Sequence, residues 1–197
     1  FTGEWDPIGM RATVSRDMKL EDVFVCDDAE ILPPGVFGGL YLTSAHGPLL
    51  FSATFLGIMQ AAYTYTLDYL TGRAPGAPLK GQIAPAIGSS VSEMLCKVEA
   101  ARALYYRSIS EAKLQPTHEI RQRARAAHLT IQRAVVEVAQ EAIRVCGGRA
   151  LLKKHPLERF LRDAQAASVM RPWTREIATQ AAWESAIEHV QKKNTVE

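Results

Sequence analysis

The stretch of sequence that decides the fold is residues 146–172, which read Cys-Gly-Gly-Arg-Ala-Leu-Leu-Lys-Lys-His-Pro-Leu-Glu-Arg-Phe-Leu-Arg-Asp-Ala-Gln-Ala-Ala-Ser-Val-Met-Arg-Pro. A long run with helical apolar spacing stops at Gly147-Gly148, because glycine accepts the left-handed backbone that ends many helices. Pro156 then favours the start of a second helix, since its fixed φ is helical and its missing N–H needs no partner there. The stretch therefore predicts a long helix, a short connection and a new helix.

Helical apolar spacing also dominates the chain before and after this stretch, with breaks at proline and glycine. The predicted helices are 44–72, 85–114, 118–146, a shorter one that starts at Pro156, and a last one over 175–191. Short connections make consecutive long helices antiparallel. The sequence therefore predicts a mainly α protein, an up-down four-helix bundle made of the three long helices and the last one.

The first 42 residues have a different pattern. Short extended candidates at 13–15, 18–20 and 23–25 are separated by charged residues, and Leu32-Pro33-Pro34-Gly35 indicates a loop. These candidates are too few for a sheet domain of their own. We predict residues 1–42 to be the tail of a β-domain with a linker, a short β and loop segment, and residues 43–197 to be the helical bundle domain.

Composition narrows the classes of function. Hydrophobic residues make up 47% of the 197 residues, and the net charge is +2. A charge so close to neutral gives no case for a nucleic-acid or membrane partner. No apolar run approaches the roughly 20 residues that span a bilayer. The chain does not begin with Met, which favours a fragment or a processed chain.

Cysteine and histidine usage gives no metal site. The three cysteines, Cys26, Cys96 and Cys146, are odd in number and lack the spacing of metal ligands, and the five histidines are scattered. We expect reduced thiols and a cytoplasmic protein.

Two motifs, in this order, resemble the acyl-CoA dehydrogenase superfamily. The opening Trp5-Asp6-Pro7-Ile8-Gly9-Met10-Arg11-Ala12-Thr13, followed by Leu20-Glu21-Asp22-Val23-Phe24-Val25, resembles the last strands of that family's central β-domain. The combination of Gly-Gly, Pro-Leu-Glu-Arg and Arg-Asp-Ala within residues 147–164 resembles its C-terminal helical domain. The resemblance implies an FAD cofactor, with FMN as the alternative, a small-molecule substrate such as an acyl-CoA thioester, and a homo-oligomer, either a dimer or a tetramer.

The resemblance also assigns flavin contacts to five residues. Arg73 lies where the family has an arginine that reaches the flavin pyrophosphate across a dimer interface, although the turn here is one residue short and lacks its Phe. Gln82 lies three residues before the place of the family's flavin-binding Gln. Arg144, Gly147 and Gly148 occupy a Gln-x-x-Gly-Gly segment that lies against the flavin of a neighbouring subunit, with Arg in place of Gln. An ordinary helix-terminal, loop or helix-cap role is open for each.

The new helix also carries two i, i+4 pairs of opposite charge, Glu158 with Arg162 and Arg159 with Asp163. This spacing predicts two ion pairs on one helix. The resemblance implies that they brace the catalytic loop.

The family's catalytic carboxylate has no counterpart at either of its two known places. Counting from residues 162–164 puts the family's Glu-Gly pair on Arg171-Pro172, and a guanidinium cannot accept a proton. Some relatives carry the Glu at the start of the first C-terminal helix, which here falls at about Gly47, and residues 31–67 contain no Asp or Glu.

Three hypotheses follow. The first, which the residues favour, is a flavin-dependent monooxygenase on the same scaffold, because such an enzyme needs no base for an α-proton. The second is an acyl-CoA dehydrogenase with its base elsewhere, or a non-catalytic subunit that assembles with a competent partner. The third is a helical oligomerisation module without enzymatic activity.

Overall fold

The computed structural model describes residues 1–36, 44–75, 77, 85–171 and 173–194. Within these ranges the α-helices are α1 (Leu49–Leu70), α2 (Pro85–Ser110), α3 (His118–Cys146), α4 (Leu157–Val169) and α5 (Arg175–Asn194). The described residues form no β-strand, so the protein is mainly α as the sequence predicts.

The longest helix, α3, has the boundaries that the sequence predicts. It begins after Thr117, whose hydroxyl accepts a hydrogen bond from the Ile120 amide, and it ends at Gly147, whose φ is 78°. A hydroxyl acceptor at the start and a glycine at the end satisfy backbone groups that a helix leaves unpaired.

The helix α3 lies at the centre of the bundle and contacts all four other helices. Its buried face is rich in alanine, which lets several neighbours approach closely; the buried alanines are Ala124, Ala127, Ala134, Ala139 and Ala142. Larger buried side chains such as Phe55, Met59 and Met94 come from α1 and α2 and fill the space around α3.

Side-chain contacts give the helix directions. Ion pairs join Arg123 to Glu111 and Lys97 to Glu137, so α2 runs antiparallel to α3. Ser52 near the start of α1 contacts His128 in the first half of α3. The short helix α4 packs on α3 and α1, whereas α5 packs on α3 and α4. The predicted up-down order of the long helices is confirmed, and α4 is the helix that fills the space beside both α1 and α3.

The three extended candidates near the N-terminus do not form strands. Residues Arg11–Thr13 and Asp27–Ala29 form 3₁₀ turns, and a single β-bridge joins Thr2 to Asp17. The strand prediction was therefore wrong for the described chain, because an extended segment needs a neighbouring strand to pair its backbone groups and these segments have none. The division into a first part of 42 residues and a helical domain stays a prediction.

The N-terminal segment nevertheless docks on the bundle. The Met10 amide donates a 2.6 Å hydrogen bond to Oδ1 of Asp163, and Nη1 of Arg162 donates a 2.6 Å bond to the Ile8 carbonyl. Between these bonds Gly9 is buried, and a Cβ built on it would lie 2.1 Å from the Arg162 carbonyl oxygen. The opening motif and the Arg-Asp-Ala motif are thus in direct contact, which only a residue without a side chain permits at position 9.

None of the helices in the described part of the chain is long and apolar enough to cross a membrane.

Candidate functional site

The connector between α4 and α5 brings together the two places where the resemblance puts a catalytic carboxylate. Arg171 lies in this connector and is exposed, whereas Trp173 is buried. A Cβ built on Gly47 would lie 3.5 Å from Cζ2 of Trp173. Position 47 and the connector therefore border the same region of the surface, and both lack a carboxylate there.

Glu176 is the carboxylate that follows Arg171 most closely in the sequence, in the first turn of α5. Hydrogen bonding to its own backbone amide, and then to the side chain of Thr174, holds the pKa of Glu176 below its usual range. A carboxylate with a lowered pKa is a weaker base, so Glu176 is suited to capping α5 and poorly suited to removing an α-proton.

The backbone of the connector is held by Gln132, a fully buried residue of α3. Its Nε2 donates two hydrogen bonds of 2.7 Å, one to the Ala167 carbonyl and one to the Trp173 carbonyl. These carbonyls lie on either side of Arg171. Gln132 therefore fixes both ends of the segment that carries the candidate catalytic position.

His128, one turn before Gln132 on α3, is also buried. Its Nδ1 lies 2.9 Å from Oγ of Ser52, which also donates to the Pro48 carbonyl at 3.1 Å. Burial lowers the pKa of His128, and a backbone hydrogen bond with Trp173 opposes the shift. The neutral imidazole thus ties the start of α1 to α3 beneath the connector.

The Gly147-Gly148 turn presents open backbone. A Cβ built on either glycine would meet no other atom of the described chain within 4 Å. The segment that follows this turn is attached to α1 by a hydrogen bond. Nδ1 of the buried His155 lies 2.8 Å from the hydroxyl oxygen of Tyr65 in α1. A rigid turn with accessible backbone is a suitable surface for a cofactor or a partner.

Both predicted arginines have hydrogen-bond partners within the chain. Arg144 pairs with Glu141 and donates to Oγ of Ser90, and the hydrogen bond to Glu141 raises the pKa of Arg144. Arg73 donates to Oδ1 of Asp68 through Nε at 2.9 Å. Gln82, the remaining predicted flavin contact, lies outside the described residues.

The predicted site residues of one chain form two groups rather than one pocket. Arg144, Gly147 and Gly148 lie at the C-terminal end of α3, and Arg171 lies on the connector that Gln132 holds. At about 1.5 Å per residue, the helix axis from Gln132 to Gly147 measures about 22 Å. Side chains at this separation cannot contact the same reacting atoms.

Of the two predicted ion pairs on α4, one is present. Glu158 accepts from Nε of Arg162 at 2.7 Å, and this hydrogen bond lowers the pKa of Glu158. The Arg159–Asp163 pair was a wrong prediction: Asp163 accepts from the Met10 amide, and the Arg159 guanidinium lies 5.4 Å from the centre of the Phe160 ring. Docking of the N-terminal segment on Asp163 has replaced the pair expected from helix spacing.

The residues of the structure offer no metal centre within the described ranges, where no group of three or more His, Cys, Asp and Glu side chains comes together.

The thiol beside the Gly-Gly turn is predicted to be unreactive in the folded protein. Burial raises the pKa of Cys146 to about 11, and a hydrogen bond with Thr66 opposes the shift. Because only the thiolate reacts, Cys146 stays protonated and unmodified below this pKa. At pH 8 a maleimide is expected to label the exposed Cys26 and to leave Cys146 free until denaturant is added. Native labelling of Cys146 as fast as Cys26, measured by peptide mass spectrometry, would contradict the buried placement.

Comparison with known proteins decides the family. A family profile described as acyl-CoA dehydrogenase, C-terminal domain, matches residues 49–171. The chain belongs to this family. Its match runs from the start of α1 to Arg171, so it covers both groups of candidate site residues.

Individual relatives include proteins named for different reactions. The putative acyl-CoA dehydrogenase YdbM of Bacillus subtilis (strain 168) is 28% identical over 167 residues, which cover 82% of this chain and 42% of YdbM. The pigment production hydroxylase of Rhodococcus erythropolis is 27% identical over 183 residues, which cover 82% of this chain and 46% of the hydroxylase. The chain therefore spans less than half the length of these relatives.

Among solved structures, the dibenzothiophene monooxygenase TdsC of Paenibacillus sp. A11-2 superimposes with a TM-score of 0.80 at 20% identity, covering 95% of this chain and 52% of TdsC. This likeness establishes the fold of the acyl-CoA dehydrogenase-like chain over nearly its whole length.

Sequence reasoning missed three contributors to the site: Gln132, His128 and the Tyr65–His155 pair. The first two carried a signal, because they are polar residues on the apolar stripe of α3 between Ala124 and Val135. A polar side chain on a buried stripe indicates a buried hydrogen-bond partner. The identity of that partner depends on tertiary packing and was not available from the sequence.

Proposed function

We propose that this chain is the C-terminal part of a flavin-dependent oxidoreductase whose reaction is oxygenation rather than dehydrogenation of an acyl thioester. The observation that carries the proposal is the exposed Arg171 on the connector, together with Gly47 beside Trp173. Dehydrogenation needs a carboxylate that reaches the α-proton, and geometry comes before pKa in that requirement. Relatives named as a dehydrogenase and as a hydroxylase match this chain with about equal identity. The choice between dehydrogenation and oxygenation therefore rests on the site residues.

The residues at the end of α3, together with Arg73 just after α1, are compatible with a flavin. The two glycines leave the backbone open to approach, and the side chains of Arg144 and Arg73 are 66% and 68% exposed. An exposed ion pair contributes only about 0–1 kcal/mol, so either arginine can exchange its carboxylate for a pyrophosphate oxygen at small cost. We propose FAD or FMN as the cofactor, and the solved structure of the relative KijD3 is a complex with FMN.

The division of the site into two groups supports assembly of at least a dimer. In such a dimer, the Gly147-Gly148 turn of one subunit would contact the flavin of its partner, and Arg171 would face its own. A bound reduced flavin would supply two electrons to O₂, with one oxygen atom transferred to the substrate and the other released as water. Arg171 would stabilise negative charge near that reaction through its fixed positive charge.

The test uses the full-length protein with flavin, a flavin reductase, NADH and ¹⁸O₂. The panel of compounds contains dibenzothiophene, for which TdsC is named, an amino-sugar nucleotide of the kind bound to KijD3, and a series of acyl-CoA thioesters. Reductase-dependent incorporation of ¹⁸O into a product is the expected result. Thioester-dependent reduction of an artificial electron acceptor, with no oxygen incorporation, would instead identify a dehydrogenase, and silence in both assays would favour a non-catalytic subunit.

Self-association is the second part of the proposal. An apolar stripe on α5 faces solvent, with Trp183, Ile187 and Val190 exposed by 65%, 38% and 53% at i, i+4 and i+7 spacing. A groove of about 560 Å³ between α2 and α3 is lined by Cys96, Ala100 and Leu129 among others. Apolar surfaces of this kind mark interaction sites.

We predict a dimer or tetramer of the full-length protein in sedimentation equilibrium at micromolar concentration, because closed symmetric assemblies are the commonest way to cover such surfaces. A monomer under these conditions would contradict the prediction. A cytoplasmic location is proposed with it and agrees with the free thiols of Cys26, Cys96 and Cys146.

A further inference from the structure

Gln132 has a geometry that ordinary core packing does not require. Its side chain is completely buried, and its amide group donates to two main-chain carbonyls at the same distance of 2.7 Å. Only the NH₂ end of the amide can donate, so the orientation of the side chain follows from its two acceptors. A hydrophobic residue of similar length would fill the same volume and leave both carbonyls unpaired.

The two acceptors belong to different elements. The Ala167 carbonyl is near the C-terminal end of α4, and the Trp173 carbonyl is just before α5. One side chain of the central helix thus spans the gap between two helices and restrains the residues between them. Arg171 projects from this restrained segment and is itself exposed.

Other contacts described for the connector each act on one side of Arg171, and His128 of α3 also forms a hydrogen bond with the Trp173 backbone. The Met10–Asp163 bond fixes α4 further from the connector, and the Met170 amide donates to the Ala166 carbonyl as an extension of α4 itself. Trp173 packs over Gly47, which has no side chain. The two bonds from Gln132 join both sides of Arg171 to α3 through a single side chain.

We propose that Gln132 is the positioning residue of the site: it fixes the backbone of the connector and so determines where the guanidinium of Arg171 lies. The inference rests on the proposed function only in taking Arg171 as part of the site. It assigns to a buried α3 side chain a role that neither the motifs nor the family profile indicates.

The first test measures the connector directly. The chain contains three tryptophans, so the substitutions Trp5→Phe and Trp183→Phe in the full-length protein leave Trp173 as the one tryptophan of this domain. In this background, Gln132→Met is expected to raise the acrylamide quenching constant of Trp173 by about threefold, because unpaired buried carbonyls favour local opening. Tryptophans contributed by other parts of the full-length chain are replaced in the same way.

The matched control is Thr66→Val. Thr66 is also completely buried, and its hydroxyl donates to the Ala62 carbonyl at 2.8 Å within α1. This variant removes the buried hydrogen bonds of Thr66, to the Ala62 carbonyl and to Cys146, far from the connector. The quenching constant of Trp173 is measured for each variant at the same number of degrees below that variant's own melting temperature. Equal quenching of Trp173 in Gln132→Met and Thr66→Val would overturn the proposal, because the effect would then be general loosening.

A second variant tests the donor chemistry. In Gln132→Glu, a protonated carboxyl can donate one hydrogen bond, whereas a carboxylate offers only acceptors to two carbonyls. Burial favours the protonated form, so the quenching constant is expected to be low at acidic pH and to rise as the pH rises through the pKa of the new group. Charged or titratable groups around the connector include His128 and Arg125 from α3, which line a cavity with Trp173, and Arg175 and Glu176 from the first turn of α5. Gln132→Met titrated in parallel corrects for them.

The two fluorescence results decide the inference whether or not the oxygenation assay succeeds. The inference would also be overturned if the quenching constant of Trp173 in Gln132→Glu did not change with pH and equalled that in Gln132→Met. Where oxygenation is detected, Gln132→Met is expected to lower kcat by about tenfold with little change in KM, since a misplaced group loses transition-state contacts. A raised quenching constant of Trp173 in Gln132→Met, with unchanged kcat and KM, would show that Gln132 stabilises the connector without positioning Arg171 for the reaction.

Discussion

Replacing Gly9 with alanine is expected to release the N-terminal segment from the bundle. The new Cβ would lie 2.1 Å from the Arg162 carbonyl oxygen, and this atom belongs to the rigid backbone of α4. The segment can avoid the clash only by giving up the Met10–Asp163 and Arg162–Ile8 hydrogen bonds. Bonds to charged groups contribute about 1.5–3 kcal/mol each, so we expect a loss of about 3 kcal/mol in docking free energy.

Limited proteolysis measures this release. A loss of about 3 kcal/mol raises the undocked population by roughly a hundredfold, and trypsin cleavage after Arg11 should accelerate accordingly. Gly57→Ala is the matched control, since Gly57 is exposed within α1 and a Cβ there would meet no atom of the described chain within 4 Å. This control is expected to stabilise α1 by up to about 1 kcal/mol through helix propensity. Unchanged cleavage at Arg11 in Gly9→Ala would show that the docked arrangement is wrong.

The second large effect concerns the catalytic base that we propose to be absent. The full-length protein is expected to show almost no thioester-dependent reduction of an artificial acceptor, and Arg171→Glu is expected to increase that rate. A positioned general base contributes about 10²–10⁴-fold, which sets the expected size of the increase. Because the connector is fixed through main-chain carbonyls, the substitution should leave its backbone in place.

The assay needs a control for charge alone. Lys113→Glu makes the same change of charge on an exposed residue just beyond α2 and should leave the rate unchanged. Wild-type protein that already reduces the acceptor at the rate of Arg171→Glu would show that another part of the full-length chain supplies the base, and the oxygenase proposal would then fail.

The sequence predicted the helices well where local signals agree with packing. The bounds of α3 follow from Thr117 and Gly147, and both are found in these roles. The start of α1 was predicted five residues early, at 44, because Ser44 and Pro48 form a turn in which the Gly47 amide donates to Oγ of Ser44. Polar and small residues before a helix permit either arrangement, so periodicity alone did not locate this boundary.

The buried face of α1 was the least predictable part of the fold. Helical spacing fits Leu49 and Leu56 as well as Leu50, Ala53 and Gly57, but the first two are buried and the last three are exposed in the structure. The helix is apolar on nearly every side, so several stripes fit the helical period. Packing in the bundle buries Leu49, Phe55 and Met59. Such a choice depends on long-range packing that a single sequence does not contain.

The candidate site was predictable where it rests on sequence motifs and unpredictable where it rests on tertiary contacts. The Gly147-Gly148 turn and the position of Arg171 were located by counting along the chain. The hydrogen bonds from Gln132 to the carbonyls of Ala167 and Trp173 join residues that are far apart in the sequence, so no local sequence pattern predicts them. The same reason explains why Asp163 was expected to pair with Arg159 and instead binds the N-terminal segment.

The attachment of the connector through main-chain atoms has a consequence for how this domain changes over evolutionary time. The carbonyls of Ala167 and Trp173 accept the bonds from Gln132, and any amino acid supplies such a carbonyl. The side chain at position 171 is exposed and takes no part in this attachment. An acid and a guanidinium can therefore replace one another there without repacking the core. Divergence between reactions can proceed by single substitutions, and a directed-evolution library can sample position 171 without first stabilising the bundle.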